Sequence, residues 1–204
     1  MKKSIAISQR IDFFDQQNEF RDTLDIRVIK WILTLNLNPL IIPNSLSFNQ
    51  IDEWLLYVKP SSFLLTGGND IGKFPKRDNT EYHILKYAEK NQLPVLGICR
   101  GMQFIAKYHK NELIKVKNHI NSSHKLKRAK NAYGFLPQKV NSFHAWGLNK
   151  VSSDYEILAY SEQDNTIEAF SHKCLPWEGW MWHPEREKVF CNDLLDRFRR
   201  LIEI

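Results

Sequence analysis

The sequence predicts an α/β protein with a single domain, in which a mostly parallel central sheet is flanked by helices and extended by antiparallel strands. Two observations support this prediction. In the first half of the chain, short apolar segments alternate with segments of helical periodicity, a pattern typical of parallel strands that are buried on both faces. In the second half, strand-like segments follow one another through polar loops. The 204 residues suit one domain over 1–204.

The first half is predicted to contain four strands and four helices. The strands cover 3–8, 40–42, 62–65 and 94–98. The helices cover 22–36, 51–58, 80–91 and 100–107. Each helix is justified by apolar residues that recur on one face, which in the first helix are Leu24, Val28, Trp31, Ile32 and Leu35.

The second half is predicted to add strands and one closing helix. The strands cover 112–116, 151–159, 167–171 and 179–182, and the helix covers 192–202 with Asn192 as its N-cap. Residues 118–131 have the weakest pattern, and we expect a surface loop there rather than a flap beside a binding site. The alternating Trp177, Trp180 and Trp182 are expected to pack in the core, with a stacking wall for a nucleobase as the alternative.

The charge balance is basic, with 29 Lys and Arg against 23 Asp and Glu and a net charge of +6. No dense basic run is interleaved with aromatic residues, so we expect a solvated surface and no nucleic-acid partner. A basic surface would still favour a small phosphorylated substrate. Arg10, Arg21 and Arg186 are candidates for binding a carboxylate or phosphate, although a surface role is at least as well supported for each.

The remaining composition bears on compartment and cofactors. Three widely spaced cysteines, of which Cys174 and Cys191 are expected to be structural, argue against a disulfide framework and predict a reducing compartment, the cytoplasm. Neither a signal peptide nor a membrane span is expected, since no run approaches 18 apolar residues. The spacing of His119, His124 and His144 is too irregular to predict a metal site, so we expect neither a metal nor another cofactor.

The strongest chemical signal is the segment Gly97-Ile98-Cys99-Arg100-Gly101, which lies between a predicted strand and a predicted helix. Small residues two positions before and after the central residue are typical of a nucleophile elbow, in which a sharp turn exposes a strained side chain. The following helix directs its N-terminus at the sulfur and favours the thiolate. The alternative is a small buried cysteine at the end of a strand. If Cys99 is a nucleophile, the backbone N–H of Arg100 could stabilise an oxyanion.

Two further segments support the nucleophile interpretation. A cysteine nucleophile needs a base, and the base needs a group that fixes its tautomer. His183 can be the base, and Glu185 lies close enough in sequence to orient it. At the end of the third strand, Gly67-Gly68 could direct backbone N–H groups into the same crevice, with Gly68 as a second oxyanion donor. Taken alone, that segment is better explained as a plain glycine turn.

Together these segments resemble the class I glutamine amidotransferase-like superfamily, whose fold is flavodoxin-like, and within it the free-standing γ-glutamyl hydrolases, which are grouped with the cysteine peptidases. The main matches are TGGND at 66–70, GICRGMQ at 97–103 and WHPE at 182–185. Softer matches are SQR at 8–10, RDTLD at 21–25, PN at 43–44, VNSFH at 140–144 and IEA at 167–169. They follow the order of the family along nearly the whole chain.

The resemblance implies cysteine-dependent hydrolysis of a γ-glutamyl amide bond. Its implied catalytic residues are Cys99, His183 and Glu185, with an oxyanion hole near Gly68 and Arg100. Residues implied to border the γ-glutamyl pocket are Gln103, Asn141, Ser142, Phe143 and His144. Met181 departs from the glutamine that many members carry, which leaves that wall of the pocket open. The implied partner is a small γ-glutamyl substrate, with a nucleotide conjugate as one candidate, and no oligomeric state is predicted.

Two other functions remain open on the sequence. One is a glutaminase that supplies ammonia to a separate synthetase, which the lack of an attached synthetase segment makes less favoured. The other is a catalytically silent binding protein of the same fold, against which the intact cysteine, histidine and glutamate argue. For the leaving group, Arg100 and Arg186 are the first candidates for contacts with phosphate.

Overall fold

The computed structural model describes residues 2–203, which form an α/β domain with helices on both faces of a large sheet. Its strands are β1 (Ser4–Ile7), β2 (Arg10–Phe14), β3 (Glu19–Thr23), β4 (Asn38–Ile41), β5 (Ser62–Leu65), β6 (Val95–Ile98), β7 (Ile114–Lys115), β8 (Ser122–Arg128), β9 (Lys139–Ser142), β10 (Trp146–Gly147), β11 (Tyr155–Ser161), β12 (Ile167–His172) and β13 (Trp177–Trp180). Its helices are α1 (Ile26–Thr34), α2 (Phe48–Val58), α3 (Pro75–Lys90), α4 (Arg100–Tyr108) and α5 (Asn192–Ile202), with a 3₁₀ turn at Pro184–Arg186.

The main sheet has nine strands in the order β4-β1-β5-β6-β13-β12-β11-β8-β9. The first five pair in parallel, and the pairs from β13 to β9 are antiparallel. The predicted parallel sheet with an antiparallel extension is therefore confirmed. β13 is the strand that joins the two halves, since it pairs in parallel with β6 and antiparallel with β12. This pairing brings the end of the chain beside the turn that follows β6.

The core forms two layers because successive strand residues point to opposite faces. In β1, Ile5 and Ile7 pack on the side of α1 and α5, where Trp31 stacks on Phe198 with ring centroids 5.2 Å apart. Ala6 lies on the opposite side with residues of α2, α3 and α4. Near-complete burial on both faces explains why the strands of the parallel half read as continuous apolar segments.

The three alternating tryptophans belong to this core. Trp177 packs in one layer, while Trp180 and Trp182 stack on each other in the other layer with centroids 5.7 Å apart. None of the three is more than 2% exposed. The expected core role is confirmed, and a stacking wall for a nucleobase is wrong because no ring face is open to a ligand.

The β2–β3 hairpin was not predicted from the sequence. It forms a separate two-stranded sheet beside the carboxyl ends of the parallel strands, and most of its residues are half-buried or exposed. Phe13 and Phe20 pair across it with centroids 4.7 Å apart. Because the hairpin buries little, it lacks the regular apolar alternation from which a strand is recognised.

Residues 118–131 contain a strand where the sequence predicts a surface loop, so that prediction is wrong. Strand β8 pairs with β9 on one side and β11 on the other. Its residues alternate, with His124 and Leu126 buried and Lys125 and Lys127 exposed. The alternation of buried and exposed residues in β8 is hard to recognise in the sequence, because one of the buried side chains is a histidine and not an apolar residue.

Element boundaries differ from the prediction in smaller ways. Helix α3 begins at Pro75 rather than at 80, as suits a proline in the first turn. At α5 the N-cap is Cys191, and Asn192 is already helical, so the predicted cap is wrong by one residue. Across residues 2–203, none of the helices combines the length and apolar character that crossing a bilayer requires.

Candidate active site

Cys99 occupies a strained turn between β6 and α4. Its backbone is left-handed, with φ 52° and ψ −107°, a conformation that L-residues rarely adopt. The peptide N–H of Cys99 donates to the carbonyl of Trp180 at 2.8 Å, which ties the turn to β13. Strain of this kind costs about 1–3 kcal/mol and persists only where the surroundings enforce it, as is common at functional sites.

The two flanking glycines make this turn possible. A Cβ on Gly97 would lie 2.5 Å from the carbonyl carbon of Gly101, and a Cβ on Gly101 would lie 2.1 Å from the carbonyl oxygen of Leu65. Both obstacles are backbone atoms, which cannot rotate aside. Small residues two positions either side of Cys99 are therefore required by the close approach of the β5 and β6 ends to α4.

His183 is held beside Cys99 by contacts to its backbone and its ring. Asn141 brackets the backbone, accepting from the His183 N–H at 2.9 Å and donating to its carbonyl at 2.8 Å. The ring nitrogen Nδ1 lies 2.6 Å from Oε1 of Glu185, and both side chains are buried. A Cβ on Gly67 would lie 2.5 Å from the His183 ring, so this glycine gives the imidazole its place.

The pKa of His183 reflects these neighbours. Burial lowers it, but the hydrogen bond and charge of Cys99, together with those of Glu185, outweigh burial and raise the pKa to about 9. A raised pKa keeps the His183 imidazole protonated at neutral pH. Chemically, this arrangement provides a nucleophile, an adjacent proton carrier and a carboxylate that fixes the tautomer.

Gly68 lies at the rim of the same site in a backbone conformation with φ 125°. A Cβ there would lie 2.9 Å from Cβ of Arg10 and 2.8 Å from Nη1 of Arg77. Arg77 is fully buried and donates to the carbonyls of Thr66 and Gly67 at 2.7 and 3.0 Å. A buried guanidinium thus fixes the segment after β5. This segment is therefore more than the plain glycine turn that its sequence alone suggests.

Cys99 and His183 open onto a cavity of 430 Å³, which we call the Cys99 cleft. The other lining residues of the Cys99 cleft are Arg10, Gly68, Asn69, Asp70, Lys73, Ile120, Asn121, Phe143 and Arg186. A smaller cavity of 70 Å³ adjoins it on the other side of Gly68 and His183 and is lined also by Thr23, Leu24, Asp25 and Glu185. Three basic side chains therefore face the space in front of the sulfur.

The five residues expected to border a substrate pocket are placed differently from one another. Phe143 lines the Cys99 cleft, and its ring meets the His183 ring edge to face at 5.6 Å. Asn141 acts on the His183 backbone through its two hydrogen bonds. Gln103 is buried, with its amide donating to the carbonyl of Trp146 at 2.9 Å, and it lines a separate cavity beside the site.

Ser142 and His144 point away from the Cys99 cleft, so the substrate-contacting role expected for them is wrong. Ser142 is fully buried and donates through Oγ to the carbonyl of His119 at 2.7 Å. The His144 ring is 1% exposed and lies against His119 and Glu168. Strand β9 ends at Ser142, and the chain that leaves it exposes Phe143 while burying Ser142 and His144.

The arginines that were candidates for binding a phosphate or carboxylate differ in whether they reach the Cys99 cleft. The Arg100 side chain is buried in ion pairs with Glu81 and Asp78, so its guanidinium cannot contact a leaving group and that expectation is wrong. Arg186 remains a candidate, since it lines the Cys99 cleft with its guanidinium 4.4 Å above the Phe143 ring. Arg10 lines both cavities.

Arg21 differs from Arg10 and Arg186 because it does not line the Cys99 cleft. Arg10 and Arg21 both form ion pairs on the hairpin, with Asp12 and Glu19 respectively. Met181, which replaces the usual glutamine, is fully buried, and its sulfur accepts from the Gln103 amide at 3.6 Å.

The structure also brings together histidines whose irregular spacing in the sequence predicts no cluster. His119, His124 and His144 converge on the buried carboxylate of Glu168. They meet because the pairing of β8 with β9 places the start of β8 beside the end of β9, and β11 joins β8 to β12 in the same sheet.

Several residues of the Cys99 cleft carry no signal in the sequence and were not predicted. Ile120 and Asn121 reach it from the stretch predicted to be a surface loop, and Lys73 reaches it from the turn before α3. No residue type in these positions signals chemistry. The position of Lys73 in the sequence is the one signal that could have predicted its place in the cleft, since this residue closely follows the glycine-rich segment at the end of β5.

Known proteins resemble this chain over most of its length. The family model described as glutamine amidotransferase class-I matches residues 19–189. A gamma-glutamyl-CDP-amidate hydrolase of Campylobacter jejuni is 32% identical over 199 residues, which cover 92% of each chain. One subunit of the glutamine-hydrolyzing GMP synthase of Methanococcus aeolicus is 31% identical over 166 residues, covering 78% of this chain and 81% of that protein.

Solved structures give the same fold. The crystal structure of a putative GMP synthase subunit from Thermoplasma acidophilum superposes with a TM-score of 0.73 at 21% identity, covering 100% of this chain and 95% of the other. A glutamine amidotransferase from Thermotoga maritima gives 0.65 at 14% identity, with coverage of 100% and 85%. These likenesses concern architecture alone. The match of the family model over most of the sequence, with the 32% identity to the Campylobacter jejuni protein, shows that the chain belongs to the class-I glutamine amidotransferase family.

Proposed function

We propose that this chain hydrolyses a γ-glutamyl amide bond through a thioester on Cys99. The sulfur attacks the γ-carbonyl carbon, and the C–N bond breaks as the leaving nitrogen takes a proton from His183. Water then attacks the thioester, passes a proton back to His183 and releases glutamate with the free thiolate. Each step conserves atoms and charge without a redox partner.

The observation that carries this proposal is the arrangement of Cys99 and His183. Cys99 is held in a left-handed backbone conformation at the end of a parallel strand, beside an imidazole whose other nitrogen lies 2.6 Å from a buried carboxylate. A surplus cysteine in a core would need neither the strain nor the paired imidazole. The arrangement is that of a nucleophile, a proton carrier and an orienting acid.

For the oxyanion of the tetrahedral intermediate, we propose the backbone N–H groups of Gly68 and Arg100 as donors. Arg100 is the first residue of α4, where N–H groups lack partners within the helix. Gly68 lines the Cys99 cleft from the end of β5. The positive end of the α4 dipole adds to the stabilisation of negative charge at this point.

The proposed substrate is a γ-glutamyl-CDP-amidate, which would give glutamate and cytidine diphosphoramidate. Similarity over nearly the whole chain to the Campylobacter jejuni hydrolase supports this choice. The basic side chains of Arg10, Lys73 and Arg186 around the Cys99 cleft suit a diphosphate. On this proposal the enzyme acts in the cytoplasm, in the synthesis of the phosphoramidate group of a capsular polysaccharide.

A second candidate is a glutaminase that delivers ammonia to a separate synthetase. The observation that favours it is similarity, at 31% identity, to a subunit of a glutamine-hydrolyzing GMP synthase. The two candidates share the chemistry at Cys99 and differ only in the leaving group. They therefore predict different substrate preferences for the isolated chain.

The test compares kcat/KM of the purified chain for glutamine, simple γ-glutamyl amines, γ-glutamyl phosphoramidates and γ-glutamyl-CDP-amidate. Glutamate release and ³¹P NMR of the product follow both halves of the reaction. We expect the nucleotide amidate to exceed glutamine by about 10³-fold, since contacts remote from the reacting bond lower the barrier as well as aid binding. The Cys99→Ala variant is the control for contaminating activity.

Each outcome assigns the chain to one candidate. Turnover of glutamine equal to that of the amidate, especially if a synthetase raises it, would replace the proposal by the glutaminase candidate. Good turnover of a different γ-glutamyl amine would keep the chemistry and change the substrate. Failure of every substrate to form a thioester, seen as a mass increase on Cys99, would favour a catalytically silent binding protein.

A further inference from the structure

Behind the wall of the Cys99 cleft lies a second group of polar side chains that the proposed reaction does not use. His119, His124, His144 and Glu168 meet here, and their side chains are at most 3% exposed. Neither Glu168 oxygen has a hydrogen-bond partner among residues 2–203, and the same is true of both ring nitrogens of His124. His124 Nε2 lies 3.2 Å from one of these oxygens but outside hydrogen-bond geometry, and a buried carboxylate in this state is costly unless something else neutralises it.

The tautomers of two of these histidines are fixed from outside the cluster. His119 Nε2 lies 2.9 Å from Oδ2 of Asp164, and His144 Nδ1 lies 2.9 Å from the carbonyl oxygen of Trp146. Both partners accept, so the histidines donate and these two nitrogens carry the hydrogens. The lone pairs of the neutral rings are then on His119 Nδ1 and His144 Nε2, which face each other at 3.2 Å.

Three electron-pair donors therefore face one point without a proton between them. Oε1 of Glu168 lies 3.6 Å from His119 Nδ1 and 3.6 Å from His144 Nε2, which completes a triangle with the 3.2 Å edge. Two lone pairs and a carboxylate oxygen at these separations require a positive charge among them. That charge is either an added proton or a metal ion.

We propose that His119, His124, His144 and Glu168 form a structural zinc site. Bonds of about 2.0–2.1 Å to nitrogen and oxygen in a tetrahedron place the ligand atoms about 3.4 Å apart, which matches the observed triangle. The fourth proposed ligand is Nε2 of His124, which lies 3.2 Å from the second oxygen of Glu168. Among residues 2–203 the group whose ligand atoms lie mutually within 4.8 Å does not include both His124 and His144, so His124 must move towards the ion for all four to bind it. The ligand atoms of His119, His124 and Glu168 all lie within 4.8 Å of one another.

The outer contacts suit a metal as well. Metal-binding histidines usually donate their other N–H to a carboxylate or a carbonyl, and Asp164 and Trp146 provide these two partners. Imidazole nitrogens with one carboxylate suit zinc better than magnesium or calcium, which prefer oxygen ligands. With four protein ligands and no opening to the Cys99 cleft, the site would be structural rather than catalytic.

A bound ion would stiffen the wall of the Cys99 cleft. The site links β8, the segment after β9 and strand β12, and His119 accepts at its carbonyl from Ser142 Oγ at 2.7 Å and from the His144 N–H at 3.1 Å. Ile120 and Phe143, which adjoin two of the ligands, line the Cys99 cleft. Zinc would therefore stabilise the fold and fix this wall.

The test measures zinc on the whole chain. The protein is purified without added metal, its zinc content is measured by inductively coupled plasma mass spectrometry, and the chelated protein is titrated with Zn²⁺ by calorimetry. We expect one Zn²⁺ per chain and a higher Tm on addition of zinc. Replacement by Co²⁺ should give the visible bands of a tetrahedral ion without a thiolate charge-transfer band, since no ligand is a cysteine.

Variants distinguish this site from the rival pair Cys99 and His183, which could itself bind zinc. We expect Glu168→Gln to abolish stoichiometric binding and Asp164→Asn to weaken it by about 10–100-fold, the usual effect of losing an outer partner. Cys99→Ala and His172→Asn, which lie outside the cluster, should bind as the wild type does.

Two results would overturn the proposal. The first is an absence of zinc binding and of any Tm shift in the wild-type chain, which would leave a proton to hold the cluster together. The second is loss of binding in Cys99→Ala, which would place the ion at the thiolate. Because the wild-type titration and the cobalt spectrum need no variant, misfolding of Glu168→Gln would not obscure the answer.

Discussion

At the scale of single residues, the site depends on side chains that are fixed from two directions. His183 is held through its backbone by Asn141 and through its ring by Glu185, and Gly67 leaves room for the imidazole. Such double fixation removes rotamer freedom before a substrate arrives, and it is the physical basis of orientation effects in catalysis. The expected consequences can be measured in single variants.

Replacing the nucleophile and its partners should give graded losses. We expect Cys99→Ser and His183→Asn to lower kcat by about 10⁴-fold or more, and Glu185→Gln by less, since an orienting group contributes less than the base it positions. The measurement is steady-state glutamate release, with circular dichroism to show that each variant folds. A Cys99→Ser variant that keeps more than about a tenth of the rate would contradict the proposed thioester.

The pH dependence follows from the raised pKa of His183. Its proton should be lost as the pH rises through about 9, so kcat should fall over that range because the leaving nitrogen then lacks a donor. The same shift affects the free energy of unfolding, because the folded-state pKa of His183 exceeds the ordinary value of 6.5. The stabilisation from protonated His183 is complete below pH 6.5 and is lost as the pH rises towards 9.

The carboxylate of Glu185 contributes to that shift, so Glu185→Gln should move the fall in kcat to lower pH. Glu187→Gln is the matched control, because Glu187 contacts Asn141 and not the imidazole. The measurement is a pH profile of kcat for the three proteins. A profile that is the same in Glu185→Gln and the wild type would exclude Glu185 as the group that raises the pKa.

At the scale of elements, the turn between β6 and α4 is set by close backbone packing and by a buried charged network. Arg77 binds the carbonyls of Thr66 and Gly67, and its partner Glu81 also pairs with Arg100 at the start of α4. Burial lowers the pKa of Arg77 to about 10, although Glu81 opposes this, so it stays charged at neutral pH. The network joins the ends of β5 and β6 to α3.

The packing of this turn predicts the effect of one added methyl group. Helix propensity alone would make Gly101→Ala in α4 stabilising by about 1 kcal/mol. The Cβ would however lie 2.1 Å from the carbonyl oxygen of Leu65, so we expect a net loss of about 2 kcal/mol and a fall in Tm of about 4–8 °C. Activity should fall as well, since Cys99 is two residues away.

Gly72→Ala is the matched control for this substitution. Gly72 has φ 90° but open space around its Cβ position, so alanine there costs only backbone strain, about 1 kcal/mol. Thermal unfolding of both variants separates crowding from backbone effects. A Gly101→Ala protein that is more stable than the wild type would show that the ends of β5 and α4 can separate without cost.

At the scale of the whole molecule, the fold concentrates part of the positive charge near the site. The chain carries a net charge of +6, and Arg10, Lys73 and Arg186 line the Cys99 cleft while Asp70 is the acidic residue among its lining. A concave surface of one sign raises the rate at which oppositely charged ligands arrive. This distribution suits an anionic substrate better than a zwitterion such as glutamine.

Salt should therefore affect the two kinds of substrate differently. On going from about 0.1 M to about 1 M salt the screening length falls from about 10 Å to about 3 Å, so we expect kcat/KM for γ-glutamyl-CDP-amidate to fall by about tenfold. The value for glutamine should change little. The Arg10→Gln and Arg186→Gln variants should reduce the salt effect, whereas Arg21→Gln, on the exposed hairpin, should not. Equal salt effects on both substrates would remove charge as a basis of selection.

The sequence by itself determined those features that depend on residues close together in the chain. The turn at Cys99 can be recognised from five consecutive residues, because the backbone that needs the two glycines also carries Cys99, the proposed nucleophile. The parallel strands are recognisable because both faces are buried, which makes the segments continuously apolar. His183 and Glu185 meet because they are two residues apart at the end of one strand.

Only the tertiary structure decided contacts between distant segments. The direction of Ser142 and His144 depends on contacts with His119, which lies on a distant part of the chain. The burial of the Arg100 side chain depends on Glu81 in another helix, and the histidine cluster depends on the pairing of β8 with β9 and β11. Such pairings are chosen by the packing of the whole sheet, because no local pattern specifies which distant strand becomes the neighbour.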